Sequence, residues 1–265
     1  MLKILFMLSL LLTCACHSSR EKASLKERTF VTDSLADTLK WNRPRFSERK
    51  AEREKMVVRD IQHSYYNPVK DVRVLEAMKA VPRHRFVPRE YQSSAYGNYP
   101  LSIGMGQTIS QPIIVAHMTE LLEIEAGDKI LEIGTGSGYQ AAVLSELTPY
   151  VFSIEIIEKL GEQAIERFKE LGYHTIRVKI GDGYEGWEEY APFDGIIVTC
   201  APEEIPPPLI RQLKPGGRIV IPLGAEDRVQ NLIVVTKDEN GNLKKKSQYP
   251  VRFVPMTGKA KKDKK

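Results

Sequence analysis

The residues with the types and spacing for chemistry fall in four short stretches of this 265-residue chain. The first is "LEIGTGSGYQ", which carries Glu132, Gly134, Thr135, Gly136, Ser137 and Gly138. The second is Glu155, which closes "VFSIE"; the third is Asp182 and Gly183 in "GDGYEGW". The fourth is Ser110 in the polar stretch "GQTISQP". A glycine-rich turn after an apolar run lets the chain reverse sharply and lets backbone N–H groups approach a ligand. The spacing here is G-x-G-x-G. Tyr139 stands where a dinucleotide fingerprint would place its third glycine, which argues against that class of ligand. No G-x-x-x-x-G-K-[ST] pattern exists for a triphosphate. Glu155 follows Glu132 by about twenty residues, the separation at which an acid after the next strand accepts both hydroxyls of a ribose. Local sequence alone leaves bland readings open: a structural glycine turn, an Asp-Gly turn at Asp182, and Ser110 as a helix N-cap before "QPIIVAHM".

The elements that must position these residues follow from apolar periodicity. "DVRVLEAMKAV" places Val72, Leu75 and Met78 on one helical face, with Asp71 as cap and Pro82 beyond the end. "IIVAHMTELLEI", "YQAAVLSEL" and "IEKLGEQAIERFKELG" read as helices, the last closed by Gly172. "DKILEIG", "VFSIE", "TIRVKIGDG" and "FDGIIVTC" read as strands, the last apolar enough for burial on both faces. The alternation predicts an α/β fold with a mostly parallel, doubly wound sheet. "LKPGGRIVIPLG" is a turn leading into a strand. Two strand-like runs around "ENGN" then predict an antiparallel hairpin at the end of the sheet.

Taken together, the glycine turn, Glu155 and Asp182–Gly183 resemble the S-adenosylmethionine site of Rossmann-like methyltransferases. In that class the glycine turn lies against the amino-acid end of the cofactor, the second-strand acid grips the ribose, and the third-strand acid meets the adenine. The ordered set "VPRHRFVP", "GQTISQP", "LEIGTGSGYQ", "GDGYEGW", "APFDGIIVTCAPEEIP" and "VRFVP" is similar to protein-L-isoaspartate O-methyltransferases, over roughly Met56 to Met256. The resemblance implies methylation of the free α-carboxylate of isoaspartyl residues in damaged proteins, which opens a repair route through a succinimide. It implies a catalytic Ser110, read as an orienting donor. It also implies a substrate groove that includes Thr108, Ile109, Gln111, Pro112, Arg252 and Phe253. A carboxylate is already ionised at neutral pH, so the transfer needs alignment more than a general base. A serine hydrolase is disfavoured, because no motif links His117 to Ser110 and a carboxylate. Methyl transfer to another acceptor, or cofactor binding without transfer, are the competing classes.

Composition sets the remaining expectations. The formal net charge is +5, with lysines gathered at Lys244–Lys246 and in the closing "KAKKDKK". No aromatic residues interleave with them, so solvated surface rather than nucleic-acid binding is expected. Cys14, Cys16 and Cys200 form neither a disulfide framework nor a zinc pattern, and no metal is expected; Cys200 reads as a small core residue. Lys3 and "ILFMLSLLLTCAC" resemble a lipoprotein-like signal over residues 1–16, with Cys14 or Cys16 as the lipidated residue. Residues 17–55 read as a charged tether or exposed helix, with Trp41 and Phe46 available to dock it but nothing in the sequence deciding that, residues 56–256 as the methyltransferase domain, and residues 257–265 as a basic tail. An exported or membrane-anchored monomer is expected. The alternative is a cytoplasmic form starting near Met56, which cofactor supply favours.

Overall fold

The computed structural model describes residues 28–30, 41, 43–226 and 228–258. Its strands are β1 Arg28–Phe30, β2 Leu101–Gly104, β3 Gln107–Ile109, β4 Ile130–Ile133, β5 Val151–Glu155, β6 Arg177–Ile180, β7 Phe193–Val198, β8 Leu213–Leu223, β9 Gln230–Lys237 and β10 Leu243–Val251. The helices are α1 Lys50–Met56, α2 Val72–Ala80, α3 Pro112–Leu122, α4 Tyr139–Ser145, α5 Glu158–Leu171 and α6 Pro207–Gln212. One eight-stranded sheet runs β1-β6-β5-β4-β7-β8-β9-β10. β4 to β8 are mutually parallel, whereas β9 and β10 return antiparallel as the expected hairpin. β2 and β3 form a separate two-stranded ribbon.

The order places β4 centrally, between β5 and β7, and all four of its residues are buried. Side chains alternate along each strand, so the sheet carries one apolar cluster on each face. Ile130 and Val151 belong to the cluster under α2, α3 and α4, whereas Leu131, Ile133, Phe152 and Ile154 belong to the cluster under α6. The same alternation sends Glu132, Ser153 and Glu155 to a common face, with Glu132 paired directly against Ser153. Two carboxylates and a hydroxyl therefore meet at the carboxyl edge of adjacent central strands, where open α/β sheets bind ligands.

The helices start and stop as their sequences dictate, with exceptions that tertiary contacts explain. Asp71 caps α2 by accepting from the Arg73 N–H at 2.8 Å, and Gly172 closes α5 in the left-handed region. The buried face of α2 is Val74, Leu75, Ala77 and Met78. Val72, expected on that face, is 67% exposed because it occupies the first helical position, before the helix meets the core. Ser110 is not the N-cap of α3. Gln111 holds that position, and Asn98 Oδ1 accepts from the Ile113 N–H at 3.2 Å. The cap comes from a loop thirteen residues upstream of Gln111, which no local pattern reveals.

The N-terminal stretch differs from a free tether over its described part. Arg53 is 2% exposed and donates to the carbonyls of Lys79 at 2.7 Å, Phe46 at 2.6 Å and Glu48. Arg45 pairs with the buried Glu146 carboxylate at 3.0 Å, and Trp41 Nε1 donates to the Ser145 carbonyl at 2.9 Å. Phe46 packs on Tyr173 with ring centroids 6.3 Å apart. Residues 43–55 are thus fastened to the domain by a buried guanidinium whose donors satisfy three carbonyls. The signal-like segment with Cys14 and Cys16 and the tail from residue 259 lie outside the described residues. Lys244–Lys246 stand exposed on β10, the outer strand, where charge discourages edge-to-edge pairing.

Candidate active site

A cavity of about 790 Å³, open to solvent, lies at the carboxyl ends of β4 and β5. The glycine turn, the β2–β3 ribbon and the segment Val254–Thr257 enclose it. Of the residues singled out from sequence, Glu132, Gly134, Thr135, Gly136, Ser137, Glu155 and Gly183 line it, together with Thr108, Ile109 and Ser110.

The acidic wall is held from behind. Glu132 is fully buried, and its Oε2 accepts from Ser153 Oγ at 2.5 Å. Ser153 Oγ in turn lies 2.6 Å from Thr135 Oγ1. Glu132 Oε1 has no hydrogen-bond partner among the described residues. Burial raises this carboxyl to about 8, against the opposing Ser153 bond, and the neighbouring Glu155 charge pushes the same way. Glu155 is fixed by two backbone donors, Gly136 N–H to Oε2 at 2.7 Å and Ile157 N–H to Oε1 at 2.9 Å. Burial also raises Glu155, and those two N–H bonds oppose the shift.

Close packing dictates the glycines. At Gly134, φ is +98° and a Cβ would stand 2.6 Å from Thr199 Oγ1. That hydroxyl is itself anchored on the carbonyls of Gly134 at 2.7 Å and Ile133 at 3.0 Å. At Gly183 a Cβ would meet Ile133 Cγ2 at 2.4 Å, so the turn after β6 can approach β4 only without a side chain. Gly138, read from sequence as a cofactor contact, does not line the cavity. It begins α4 in the left-handed region, where a Cβ would strike the Phe168 ring at 2.7 Å. Its task is the close approach of α4 to α5.

Five other expected site residues also stand outside the cavity lining. Asp182 is 9% exposed, but its Oδ1 caps the following turn by accepting from Tyr184 N–H at 2.9 Å, and the carboxylate lies against Gly258 rather than in the cavity wall. Gln111 reaches away to the Asn98 carbonyl at 2.7 Å, and Pro112 is buried at the first position of α3. Arg252 is exposed, and the Phe253 N–H is taken by Gln230 Oε1 at 2.9 Å. Neither lines the cavity; the next four residues, Val254 to Thr257, do. The offset arises because the chain leaves β10 after Val251 and reaches the site only where it is held by bonds between Ala201 and both Val254 and Met256.

Sequence reasoning missed part of the wall. Thr199 and Cys200 lie on it, just past β7, and Gln107, Tyr139 and Gln140 also line it, beside apolar residues such as Val115, Ile156 and Ile157. Cys200 is half-buried there rather than a core residue, and burial pushes its thiol far up. The position of "VTC" after a strand neighbouring β4 was the available signal, since that edge is where ligands sit. Ser110, by contrast, is half-buried on the wall with its hydroxyl unengaged by the described residues. His117 offers it no base: Nδ1 is bonded to Tyr249 Oη at 2.6 Å and the two rings stack 5.2 Å apart. The lining contains no His, Lys or Arg, and no metal-type cluster occurs among the described residues.

This arrangement can hold a ligand that carries vicinal hydroxyls and a cationic group against two carboxylates, and can present neutral donors to a second molecule. Over residues 51–261 the chain matches the family model described as protein-L-isoaspartate(D-aspartate) O-methyltransferase (PCMT). It is 58% identical over 188 residues to protein-L-isoaspartate O-methyltransferase 2 of Syntrophobacter fumaroxidans, covering 71% of this chain and 76% of that one. It is 51% identical over 248 residues to protein-L-isoaspartate O-methyltransferase of Opitutus terrae, covering 94% of each. A solved protein-L-isoaspartate O-methyltransferase superposes with a TM-score of 0.66 at 31% identity, over 72% of this chain and 62% of that one, less than two thirds of its length. A Plasmodium falciparum protein in complex with S-adenosyl-L-homocysteine has the same TM-score at 24% identity, over 78% and 97%, and carries the fold.

Proposed function

The chain belongs to the protein-L-isoaspartate(D-aspartate) O-methyltransferase family, and from that premise we propose how its own atoms divide the work of isoaspartyl methylation. The reaction transfers a methyl group from S-adenosylmethionine to the free α-carboxylate of an isoaspartyl residue, and the ester formed begins repair through a succinimide. The cofactor supplies, when bound, a methyl carbon already made electrophilic by the sulfonium.

The wall suits such a group. Glu155 is pre-set by two N–H bonds, which leaves lone pairs to accept ribose hydroxyls without reorganisation. Glu132 Oε1 is an orphaned, buried acceptor, the feature a cationic ligand would satisfy. Gly134, Thr135, Gly136 and Ser137 bring backbone to the same surface, and Gly183 brings the turn after β6. Asp182 joins the site only if its carboxylate leaves Gly258.

On the acceptor side, Ser110 Oγ donates to one oxygen of the incoming α-carboxylate and holds the other in line. Ile109 supplies apolar wall, and Thr108 and Gln107 stand at the ribbon edge. The observation that carries this reading is the charge asymmetry of the cavity: among the described residues, the carboxyls that line it, Glu132 and Glu155, face the cofactor end, and no charged side chain lines the acceptor end. A carboxylate anion and a sulfonium cation are consumed together, giving a neutral ester and a neutral thioether. A lysine or arginine on the acceptor would stabilise the starting anion more than the transition state and slow transfer. Neutral donors orient the anion with less of that penalty. Labelled S-adenosylmethionine with an isoaspartyl peptide and its normal-aspartyl twin tests the assignment. Label in the first alone is expected; equal label in both would remove it.

Residues 1–16 we propose as a signal that exports the chain, with a lipid anchor at Cys14 or Cys16 and a monomeric working unit. No helix among the described residues is long and apolar enough to cross a membrane, so attachment would rest on that segment. The docking of residues 43–55 supports a folded unit that begins upstream of Met56. Fractionation and intact mass of a C-terminally tagged chain test this, and a soluble product lacking the residues before Met56 would overturn it.

A further inference from the structure

We infer that this enzyme carries its own aging site at Asn240–Gly241, and that the isoaspartyl residue formed there is methylated by the active site of a second copy. The inference rests on the isoaspartyl specificity above. Asn240–Gly241 is the one Asn-Gly step in the sequence, and both residues are exposed in the turn Asp238–Asn242 between β9 and β10. Succinimide formation needs the backbone nitrogen of the following residue to attack the asparagine side-chain carbonyl. Glycine puts nothing in the way, and no atom lies within 4 Å of the place a Cβ would take at Gly241.

The two Asp-Gly steps make the contrast. Asp182–Gly183 is buried against β4, where even a Cβ would collide. Asp194–Gly195 lies within β7, where both backbone N–H groups bond to the Lys129 carbonyl. Neither has the freedom to close a ring.

The turn also has a brake. The Gly241 N–H, the attacking group, donates to the Asp238 carbonyl at 2.9 Å. The Asp238 carboxylate accepts from Asn240 N–H at 3.0 Å, Asn242 N–H at 2.8 Å and Asn242 Nδ2 at 3.2 Å. Attack requires the turn to open, and an exposed loop held by surface hydrogen bonds opens far more often than the core unfolds. Asp238 therefore sets the rate of damage.

The Gly241 nitrogen bonds to the Asn240 side-chain carbonyl carbon, and ammonia leaves. Water opens the resulting imide at either carbonyl. Opening at the α-carbonyl leaves the chain running through the β-carbonyl, with a free α-carboxylate. Methylation at one oxygen of that carboxylate releases S-adenosylhomocysteine. The Gly241 nitrogen then attacks the ester carbonyl, methanol leaves, and the imide returns to be hydrolysed again. Asparagine is never regenerated; the end point is aspartate at position 240.

Topology makes the reaction intermolecular. The cavity stands at the carboxyl edge of the parallel strands. β9 pairs with β8 through Leu223↔Asn231 and Arg218↔Thr236, so it starts at that edge and ends at the opposite one. The turn after Lys237 thus lies across the full sheet from its own Ser110, and Glu239 packs near Gly216 at the entry of β8.

The test ages the purified full chain at mildly alkaline pH and physiological temperature, then adds fresh enzyme and labelled S-adenosylmethionine. Label is expected in the tryptic fragment Asp238–Lys244, rising with aging time and with the amount of fresh enzyme added. Asn240→Gln should lose that labelled fragment while methylating a synthetic isoaspartyl peptide as well as the parent does. Asp238→Ala should gain label sooner than the parent. An aged parent chain with no label in this fragment, in a tube where the synthetic peptide is methylated, would overturn the inference; so would labelling of the fragment that ignores added enzyme. Failure of the synthetic peptide itself would instead strike the isoaspartyl reading.

Discussion

The two walls of the cavity are built on different principles. The wall we propose for the cofactor consists of strand ends and a glycine turn, where Glu132, Ser153, Thr135 and Glu155 are buried and tied to one another or to backbone. The wall we propose for the acceptor consists of a two-stranded ribbon, the half-buried Ser110 and the extended run Val254–Thr257. The first is rigid because it is an extension of the core. The second is shaped by contacts between distant segments, such as Gln111 with Asn98 and Ala201 with Val254. A ligand used in every turnover meets a pre-set surface, and a variable protein substrate meets loops.

The same substitution in both walls should separate them most sharply. Gly134→Ala forces a left-handed alanine into an anchored hydroxyl, and should cost about 2–4 kcal/mol of stability and abolish measurable cofactor binding. Gly106→Ala, in the ribbon turn where φ is +72° and the surrounding space is open, should cost only about 1 kcal/mol and leave cofactor binding unchanged. Thermal unfolding with and without S-adenosylhomocysteine reads both, and equal losses would dissolve the distinction between the walls.

Glu155→Gln should come next. It removes one acceptor from a pair of N–H bonds and from the ribose, so cofactor Kd should rise by about 2 kcal/mol, roughly thirtyfold, with kcat at saturation nearly retained. A fall in kcat alone would place Glu155 on the wrong wall.

The pH dependence of Glu132 divides the same wall further. Its carboxyl is raised from the usual carboxylate range to about 8 in the folded protein, so between those limits the folded state holds a proton that the unfolded state has lost. Its contribution to stability is therefore present in full at low pH and lost as pH rises towards 8. Cofactor binding runs the other way. A cationic ligand favours the ionised carboxylate, so affinity should rise up to about tenfold per pH unit towards 8, with proton release detectable by calorimetry in buffers of different ionisation heat. Glu132→Gln should flatten both profiles, and an unchanged affinity profile in that variant would remove Glu132 from the cationic end.

These walls also differ in how far the sequence disclosed them. That Glu132, Gly134 and Glu155 line one cavity was legible because strand period, glycine spacing and acid separation are local quantities. The doubly wound sheet and its terminal hairpin were legible for the same reason. The misplacements come from contacts that cross the chain. Gly138 answers to the Phe168 ring thirty residues on, and Asp182 to Gly258. Ser110 is freed from capping by an asparagine in another loop. Trp41 and Phe46 were visible as candidate docking side chains for residues 43–55, but the part of Arg53 was hidden, because it looks like surface until its three carbonyl partners are known. On the acceptor wall, family resemblance located the "GQTISQP" loop but put the C-terminal contribution at Arg252 and Phe253, just short of the residues that face the cavity.

The most direct test of this division of labour is Ser110→Ala, with cofactor Kd and kcat on an isoaspartyl peptide measured on one preparation. The account predicts an unchanged Kd with kcat lowered by at least about tenfold, the loss of one orienting hydrogen bond worth roughly 1.4 kcal/mol in the transition state. A variant that loses cofactor affinity in step with turnover, or that loses neither, would contradict it.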